Sequence, residues 1–261
     1  RAGGIEVKKV GVDAGRCVGC GACVRACPLG VLELDGGKAA VNERRHCMEC
    51  LHCAAACPVR AITWQGLAPE ALYRAMPEDP VVRTVAMRRS TRHFRPDCPE
   101  RAVLTRALDQ AEYAPSSKNE HKNQWTVVLG RDKAAALIAP VAEWGAANGR
   151  PELEKQLERG INMITCGAPC LIIGHIPEHA NNPEGDVVIA MTTTELLLAR
   201  AGLSVCWGGY LKRAISATPA LREALGIPRD HVVAGVLMVG YADGEEYVNV
   251  PWRRPADIQW R

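Results

Sequence analysis

Four closely spaced cysteines near the start of the chain constrain its fold more than any other feature. The run CVGCGACVRACP, from Cys17 to Pro28, separates its cysteines by two, two and three residues and ends in proline. A second run, CMECLHCAAACP, repeats this spacing 30 residues later, and each run is followed by a short apolar segment that is typical of a strand. Self-similarity at a fixed offset indicates a duplicated unit. Between the two runs, VLELDGGKAAV predicts a strand, an Asp-Gly-Gly turn and a second strand, which together form a hairpin.

The composition limits what these thiols can do. The segment RAGGIEVKKV has no apolar h-region, and no stretch approaches the roughly 18 apolar residues of a membrane span. We therefore expect a cytoplasmic protein with no membrane partner, and in that reducing compartment dense cysteines indicate metal binding rather than disulfides. The net charge of +3, with no basic stripe interleaved with aromatic residues, gives no reason to expect a nucleic-acid partner.

The spacing C-x2-C-x2-C-x3-C-P is typical of the bacterial ferredoxin run, in which the fourth cysteine ligates the other cluster. Over about residues 5–65 the chain resembles the two-[4Fe-4S] ferredoxin family. The resemblance implies two ligand sets, Cys17, Cys20, Cys23 and Cys57 for the first cluster and Cys47, Cys50, Cys53 and Cys27 for the second. The alternative is a pair of four-cysteine zinc sites, although such sites need neither the third cysteine nor the C-P ending.

Two clusters without a substrate pocket only relay electrons, so an acceptor is expected elsewhere in the chain or on another protein. The proline-rich segment GLAPEALYRAMPEDP contains several helix breakers and is predicted to be a connector. We therefore predict a ferredoxin-like domain over residues 1–66, a linker over residues 67–80 and a second domain over residues 81–261.

The second domain opens with a helix and a basic run. Val81, Val82, Val85 and Ala86 lie at helical spacing, and five cationic or potentially cationic groups follow between positions 88 and 95. Such a concentration repels itself unless an anion joins it, and arginines with a serine hydroxyl suit a phosphate. The alternative is a solvated basic face.

Four later segments occur in a characteristic order: APSSKNEHKNQWTVV, GAPCLIIGHIP, TTTELLLARAGLSVCWGGY and VPWRRPADIQW. With RRSTR in front of them, the chain from about residue 80 to its end is similar to the FMN-dependent nitroreductase family. The resemblance implies an α+β fold, with a nitroreductase-like mixed sheet flanked by helices and preceded by a small ferredoxin-like α+β domain.

The resemblance also implies an FMN site built at a homodimer interface. By this carry-over, the FMN phosphate and ribityl chain are held by Arg88, Arg89, Ser90 and Arg92, with Arg253 closing on the phosphate and Arg254 as a weaker candidate. Contacts to the flavin ring are expected from Pro115, Ser116, Ser117, Asn119, Gly208 and Gly209. Asn119 faces the polar edge of the ring, residues 115–117 touch a flavin held mainly by the partner subunit, and the two glycines bring backbone N–H groups near N5.

One position departs from the family pattern. Many relatives carry Gln two residues after the motif asparagine, where this chain has His121. A histidine titrates near neutral pH and is the candidate catalytic proton donor. The alternative is a surface or hydrogen-bonding histidine with no chemical role.

Periodicity predicts the remaining elements of the second domain. We expect helices over residues 100–114, 132–147 and 151–163, strands at QWTVVLG, CLIIGHI and HVVAGVLMVGY, and a central buried helix at DVVIAMTTTELLLARAGL that forms a dimer core. In HIPEH, Pro177 and the preceding strand argue against a zinc-binding helix. Cys170 is predicted to lie in the core, and for Cys206 a buried apolar role is favoured over a redox role.

The combined motifs predict an iron-sulfur flavoprotein oxidoreductase. Electrons from a low-potential donor, such as an external ferredoxin, are expected to pass through two [4Fe-4S] clusters to FMN, which reduces a small organic acceptor such as a nitroaromatic, a quinone or an activated alkene. No Gly-x-Gly-x-x-Gly follows a strand and opens a helix, so no Rossmann domain is expected. The alternatives are an electron-transfer or redox-sensing flavoprotein without substrate turnover, and a dehydrogenase that runs in the opposite direction.

Overall fold

A computed structural model describes residues 10–244 and 246–261. The described chain divides into two compact units. The first contains the residues up to Met87 together with those from Gly244 onward, and the second runs from Arg88 to Asp243. The chain therefore leaves the first unit after Met87 and returns to it at Gly244. The predicted domain limits differ from this division, because they place residues 81–261 in one domain. Those limits stay a prediction.

The first unit shows the duplication predicted from the cysteine runs. Its first six elements are β1 (Val10–Val12), α1 (Ala22–Arg25), β2 (Leu32–Asp35), β3 (Lys38–Val41), α2 (His52–Ala56) and β4 (Ile62–Trp64). Helix α2 begins 30 residues after α1, and β4 begins 30 residues after β2. Strand β1 pairs antiparallel with β4, and β2 pairs antiparallel with β3. The predicted hairpin is confirmed, with Gly36 and Gly37 in the positive-φ conformation that a tight hairpin turn requires.

The segment predicted as a linker is folded. It forms α3 (Pro69–Leu72) and β5 (Tyr73–Arg74), which are followed by α4 (Pro80–Met87). Leu72 and Tyr73 are buried, and the Tyr73 hydroxyl donates to the Ile62 carbonyl at 3.0 Å and accepts from the Ile62 N–H at 3.1 Å. The helix breakers that suggested a connector therefore bound two short elements that pack into the cysteine-rich unit.

The second unit is an α+β layer built on one sheet. Its elements are α5 (Arg101–Ala111), a 3-10 turn (Ser117–Asn119), β6 (Gln124–Leu129), α6 (Arg131–Ala135), α7 (Ile138–Ala147), α8 (Glu152–Glu158), β7 (Cys170–Pro177), α9 (Pro183–Arg200), β8 (Ser204–Trp207), α10 (Gly209–Ala217), α11 (Pro219–Ala224) and β9 (His231–Gly240). The strand order is β6-β7-β9-β8, and neighbouring strands are antiparallel. A parallel bridge from Ser90 to Val205 supplies the mixed character. Cys170 and Cys206 are buried, as predicted.

Helix α9 packs closely on this sheet because two glycines face each other beneath it. Gly174 in β7 is paired with Gly235 in β9. A Cβ atom on either glycine would come within 2.6 Å of a side-chain atom of α9, from Val187 or Met191. The predicted central helix is present and one of its faces is buried, whereas Val188 and Ile189 on another face are partly exposed. The predicted dimer core stays a prediction.

The end of the chain returns to the first unit. Strand β10 (Val250–Pro251) pairs antiparallel with β5, and the Trp252 N–H donates to the Leu72 carbonyl at 2.7 Å. Across the described residues, no helix combines the length and apolar character that crossing a membrane requires.

Two buried histidines form a pair in the core of the second unit. His175 in β7 and His231 in β9 bring their Nδ1 atoms to 2.9 Å, and His175 Nε2 lies 3.1 Å from the Thr126 hydroxyl. Burial, followed by the charges of His231 and Arg222, lowers the pKa of His175 to about 4. Burial also lowers the pKa of His231, although Asp230 opposes that shift. HIPEH therefore ends a strand, as its proline indicated.

We predict that the second unit loses stability as the pH falls from about 6.5 to about 4. In this window the unfolded chain binds a proton that folded His175 does not, so the free energy of unfolding decreases by up to about 3 kcal/mol. Thermal unfolding measured across these pH values checks the effect. The variant His175→Gln should flatten the profile, whereas His179→Gln, which alters an exposed histidine, should keep it. An unchanged slope in His175→Gln would contradict the prediction.

Candidate functional site

The structure brings the eight cysteines of the first unit together in two groups of four. Burial and, after it, the nearby thiols of Cys57, Cys17 and Cys20 raise the pKa of the Cys23 thiol to about 11. These four residues are the first predicted ligand set. Thiols that oppose one another's ionisation become ligands when a metal supplies the compensating positive charge.

The second group shows the same mutual influence. Burial raises the pKa of Cys53, and the thiols of Cys50, Cys27 and Cys47 raise it further. All four line one pocket whose other walls are mainly apolar, including Leu51 and Trp64. Each group thus takes three cysteines from one run and one from the other. The assignment of these groups as cluster ligands stays a prediction.

Backbone amides point at three of these sulfurs. The N–H of Val31 lies 3.3 Å from Cys27 Sγ, and 30 residues later the N–H of Ala61 lies 3.2 Å from Cys57 Sγ. The Ala39 N–H lies 3.4 Å from Cys17 Sγ and is the largest cause that lowers the pKa of that thiol. Such bonds stabilise thiolates and tune the potential of an iron-sulfur cluster.

The loops around the cysteines need left-handed backbone at equivalent places. The first run meets this need with Gly19, Gly21 and Gly30, and the second places Glu49, Leu51 and Arg60 at the same three offsets. Their φ angles lie between 54° and 72°. A residue with a Cβ pays roughly 1–2 kcal/mol in this conformation. The second run therefore tolerates strain that the first avoids.

In the second unit, an ion pair fixes the first arginine of the RRSTR motif. Arg88 Nη1 donates to Glu195 Oε1 at 2.9 Å, and Trp207 Nε1 donates to Glu195 Oε2 at 3.0 Å. The Glu195 side chain is only 6% exposed, whereas that of Arg88 is 33% exposed. The buried carboxylate thus holds a guanidinium that still reaches solvent, as an anion-binding arginine must.

The rest of the motif lies along strand β8. Ser90 forms the bridge to Val205, and the Arg92 Nη1 atom donates to the Ser90 carbonyl at 3.2 Å. Arg89 is buried, and its Nη1 atom donates to the Arg88 carbonyl at 2.7 Å. Arg88, Ser90 and Arg92 keep partial exposure, so they remain the better candidates for contact with a phosphate.

The segment from Pro115 to His121 is strained and tightly held. Lys118, Asn119 and His121 adopt φ angles of 51°, 57° and 44°, which non-glycine residues rarely adopt. Asn119 Oδ1 lies 2.8 Å from His121 Nε2, and the His121 N–H donates to Ser116 Oγ. Such strain is found at functional sites when the surrounding structure imposes it.

Asp186 in the first turn of α9 provides that support. Its carboxylate oxygens accept the Ser117 N–H at 3.0 and 3.1 Å. Glu120 anchors the same segment through the Asn181 N–H and the Lys122 ammonium, and bonds with Asn181, then Lys122, lower its pKa to about 2.

The two candidate glycines differ in what they offer a ligand. The Gly208 N–H donates to the Val236 carbonyl at 2.8 Å, so it is engaged within the unit. Gly209 begins α10 and is exposed, and a Cβ atom there would meet nothing within 4 Å. The first turn of a helix leaves backbone N–H groups without intrahelical acceptors, which suits polar ligand atoms.

Arg253 and Arg254 belong to the first unit in this structure. Arg253 Nη1 donates to the Cys50 carbonyl at 3.1 Å, and both arginines line an open pocket with Trp252 and Trp64. Their assignment to the FMN phosphate stays a prediction, because the contact observed here is with the cysteine loop.

Sequence reasoning missed the two acidic residues of α9 that hold the site. Asp186 and Glu195 are nearly fully buried, although acidic residues are rarely buried without a partner. Their position as the acidic residues of the otherwise mainly apolar stretch DVVIAMTTTELLLAR could have indicated that each has a buried partner.

Comparison with known proteins agrees with both units. A model of the nitroreductase family matches residues 85–241, and a model of the 4Fe-4S dicluster domain matches residues 9–58. No curated protein matches the chain.

Several solved structures share the fold of the second unit. A nitroreductase with bound FMN from Bacteroides fragilis NCTC 9343 is 21% identical over 70% of this chain and 99% of that one, with a TM-score of 0.63. A nitroreductase with bound FMN from Desulfitobacterium hafniense DCB-2 is 22% identical over 71% of this chain and 100% of that one, with a TM-score of 0.60. The FMN and NADPH-dependent nitroreductase NfnB from sphigopyxis sp. strain HMH is 24% identical over 70% of this chain and 99% of that one, with a TM-score of 0.54. The predicted nitroreductase-like α+β fold is confirmed.

We predict that Glu195→Gln weakens FMN binding about tenfold and lowers the melting temperature. The substitution removes the charge that holds Arg88, and hydrogen bonds to charged groups contribute roughly 1.5–3 kcal/mol. Fluorescence titration of the apoprotein with FMN checks the affinity. Glu184→Gln is the control, because it alters an exposed ion pair on the same helix. Equal FMN affinity in both variants would contradict the role given to Glu195.

We also predict that Gly19→Ala lowers the iron content while Gly30→Ala keeps it. A Cβ atom at Gly19 would lie 2.0 Å from the Gly37 carbonyl oxygen, whereas one at Gly30 would meet nothing within 4 Å. Both glycines have positive φ, so alanine causes similar backbone strain at either position. A difference between the two variants therefore reports the steric clash alone. Iron analysis of the two purified variants tests this, and equal iron content would show that the clash is relieved without cost.

Proposed function

This chain belongs to the nitroreductase family, and from that membership we propose an oxidoreductase that takes electrons from a low-potential donor through its cysteine-rich unit. At the flavin site these electrons reduce a small organic acceptor, such as a nitroaromatic, a quinone or an activated alkene. One observation carries the proposal, namely that two groups of four mutually interacting thiols occur in the same chain as the family domain.

The cofactors are FMN and two [4Fe-4S] clusters. When bound, FMN exchanges electrons singly or in pairs, so it can connect one-electron carriers with a two-electron acceptor. The remaining contributions come from the chain itself, which places, shields and tunes these groups.

The proposed cluster ligands are the two groups of four thiols. Cys20 is exposed, whereas the other seven thiols are half-buried or buried. The first group therefore reaches solvent most directly, and this supports electron entry at that group from an external ferredoxin or another low-potential donor.

The proposed FMN site uses the exposed part of the RRSTR motif. Arg88, oriented by Glu195, binds the phosphate together with Ser90 and Arg92. Gly209 offers the first turn of α10 to the ring, and Asn119 offers its side chain. His121, whose Nε2 atom lies 2.8 Å from Asn119 Oδ1, is the proposed proton donor, because histidine is the side chain that most often transfers protons in enzymes.

A homodimer is part of the proposal. Val188 and Ile189 on α9 are about two-fifths exposed, and Val81, Val82 and Val85 on α4 are more than half exposed. Exposed apolar helix faces of this kind mark protein interfaces. Pro115, Ser116 and Ser117 are proposed to contact the flavin held by the partner subunit.

The direction of electron entry decides between this function and its alternatives. Under anaerobic conditions, the purified protein is mixed with reduced ferredoxin, NADH or NADPH, and flavin absorbance at its visible band is followed. NADPH is included because the NfnB structure is described as NADPH-dependent. We expect reduced ferredoxin to bleach the flavin rapidly.

Two cysteine variants sharpen this experiment. Cys20→Ser should slow flavin bleaching by ferredoxin, because it removes a proposed cluster ligand, whereas Cys98→Ser, which alters an exposed cysteine outside the repeat, should not. Rapid bleaching by NAD(P)H with none by ferredoxin would contradict entry through the clusters. Flavin reduction that no nitroaromatic, quinone or activated alkene reverses would favour an electron-transfer role.

A further inference from the structure

The C-terminal strap, defined as residues 246–254, bonds to the backbone between two proposed cluster ligands. The N–H groups of Val248 and Asn249 both donate to the Ala55 carbonyl, at 2.9 and 3.0 Å. Ala55 lies in α2, between Cys53 and Cys57. The strap follows the whole second unit in sequence, yet these hydrogen bonds join it to the first unit.

The side chain of Asn249 makes the strongest set of these contacts. Its Nδ2 atom donates to the carbonyls of Cys57 at 2.7 Å and Ala54 at 3.2 Å, and its Oδ1 atom accepts from Arg60 Nε at 3.1 Å. The residue is 5% exposed, and Ala54 and Cys57, whose carbonyls it binds, are also buried. One amide thus satisfies two buried carbonyls and one guanidinium.

Helix α2 needs such a partner because it is short. It contains five residues, and the last carbonyls of any helix have no intrahelical donor. Burial without a donor is costly for a carbonyl. The Ala55 carbonyl accepts two N–H groups of the strap, and the carbonyls of Ala54 and Cys57 each accept from Asn249 Nδ2 in addition to a backbone N–H, from Cys57 and Arg60 respectively.

This segment matters for both proposed clusters. Cys53 belongs to the second group of thiols and Cys57 to the first, so residues 54–56 join the two groups covalently. A shift of this segment would move one ligand of each group. A second strap contact, from Arg253 to the Cys50 carbonyl, reaches another loop that carries a proposed ligand.

We propose that Asn249 is a positioning residue for the iron-sulfur clusters, which it serves by holding the backbone between Cys53 and Cys57. This inference rests on the ligand sets of the proposed function. It assigns the end of the chain a role in cluster retention, although the flavin unit separates it from every cysteine ligand in sequence.

The test compares three full-length variants. Asn249→Ala removes all three side-chain bonds. Asn249→Asp keeps the shape and the acceptor for Arg60 but has no donor for the two carbonyls. Asn42→Ala is the matched control, because this asparagine bonds to Glu33 on the exposed surface of the same unit. Iron and sulfide per chain, FMN per chain, and the rate of iron release to a chelator under anaerobic conditions are measured.

We expect both Asn249 variants to release iron about tenfold faster than the unaltered protein, with Asn42→Ala unchanged and FMN content unchanged in all three. Release at the unaltered rate from both variants would overturn the proposal. Equal loss of FMN and iron would also overturn it, because the residue would then support the whole chain rather than the clusters. Absence of iron from the unaltered protein would instead refute the proposed function.

Discussion

The grouping of eight thiols into two sets of four is the constraint on which the first unit depends. Burial and mutual repulsion oppose the ionisation of Cys23 and Cys53, so these groups are unfavourable without a counter-charge. Iron-sulfur clusters supply that charge, and part of their binding free energy therefore stabilises the fold. Backbone amides aimed at the sulfurs and left-handed residues beside them adapt the loops to the same purpose. Leu51, which has a positive φ angle, is buried beside the proposed ligands of the second cluster.

Helix α9 has a comparable place in the second unit. It lies against Gly174 and Gly235, and this close approach brings its side chains to the sheet. Its two buried carboxylates then hold different parts of the proposed flavin site. Asp186 binds the strained segment at Ser117, and Glu195 binds Arg88 and Trp207. One helix therefore sets the distance between the candidate phosphate arginine and the candidate ring contacts.

Local features of the sequence were predicted well because their causes are local. The cysteine spacing, the Asp-Gly-Gly turn and the proline in HIPEH each determine the geometry of a few neighbouring residues. Contacts between distant residues were missed. Arg88 and Glu195 lie 107 positions apart, and Asn249 lies 195 positions from Ala54. No pattern in the sequence indicates that these residues are in contact. The segment PWRRP suggested a role for its arginines, but nothing suggested one for Asn249. The apolar composition of α9 predicted a buried helix, but it did not indicate which face is covered by the sheet and which is left exposed in the single chain.

The chain can return to the first unit because the beginning and the end of the second unit lie side by side. Its first and last segments are joined by an antiparallel bridge between Phe94 and Ala242, with bonds from Arg95 N–H to the Tyr241 carbonyl and from Asp243 N–H to the His93 carbonyl, both at 2.9 Å. Closing a long flexible loop costs conformational entropy. The second unit is inserted between the two parts of the first unit, and once it is folded with its own ends bonded to each other, most of that entropy has already been lost. The strap can therefore dock with little further loss of entropy once the second unit is folded. The bonds of Asn249 depend on this docking, so the proposed role of Asn249 implies that the stability of the second unit also contributes to the retention of the clusters.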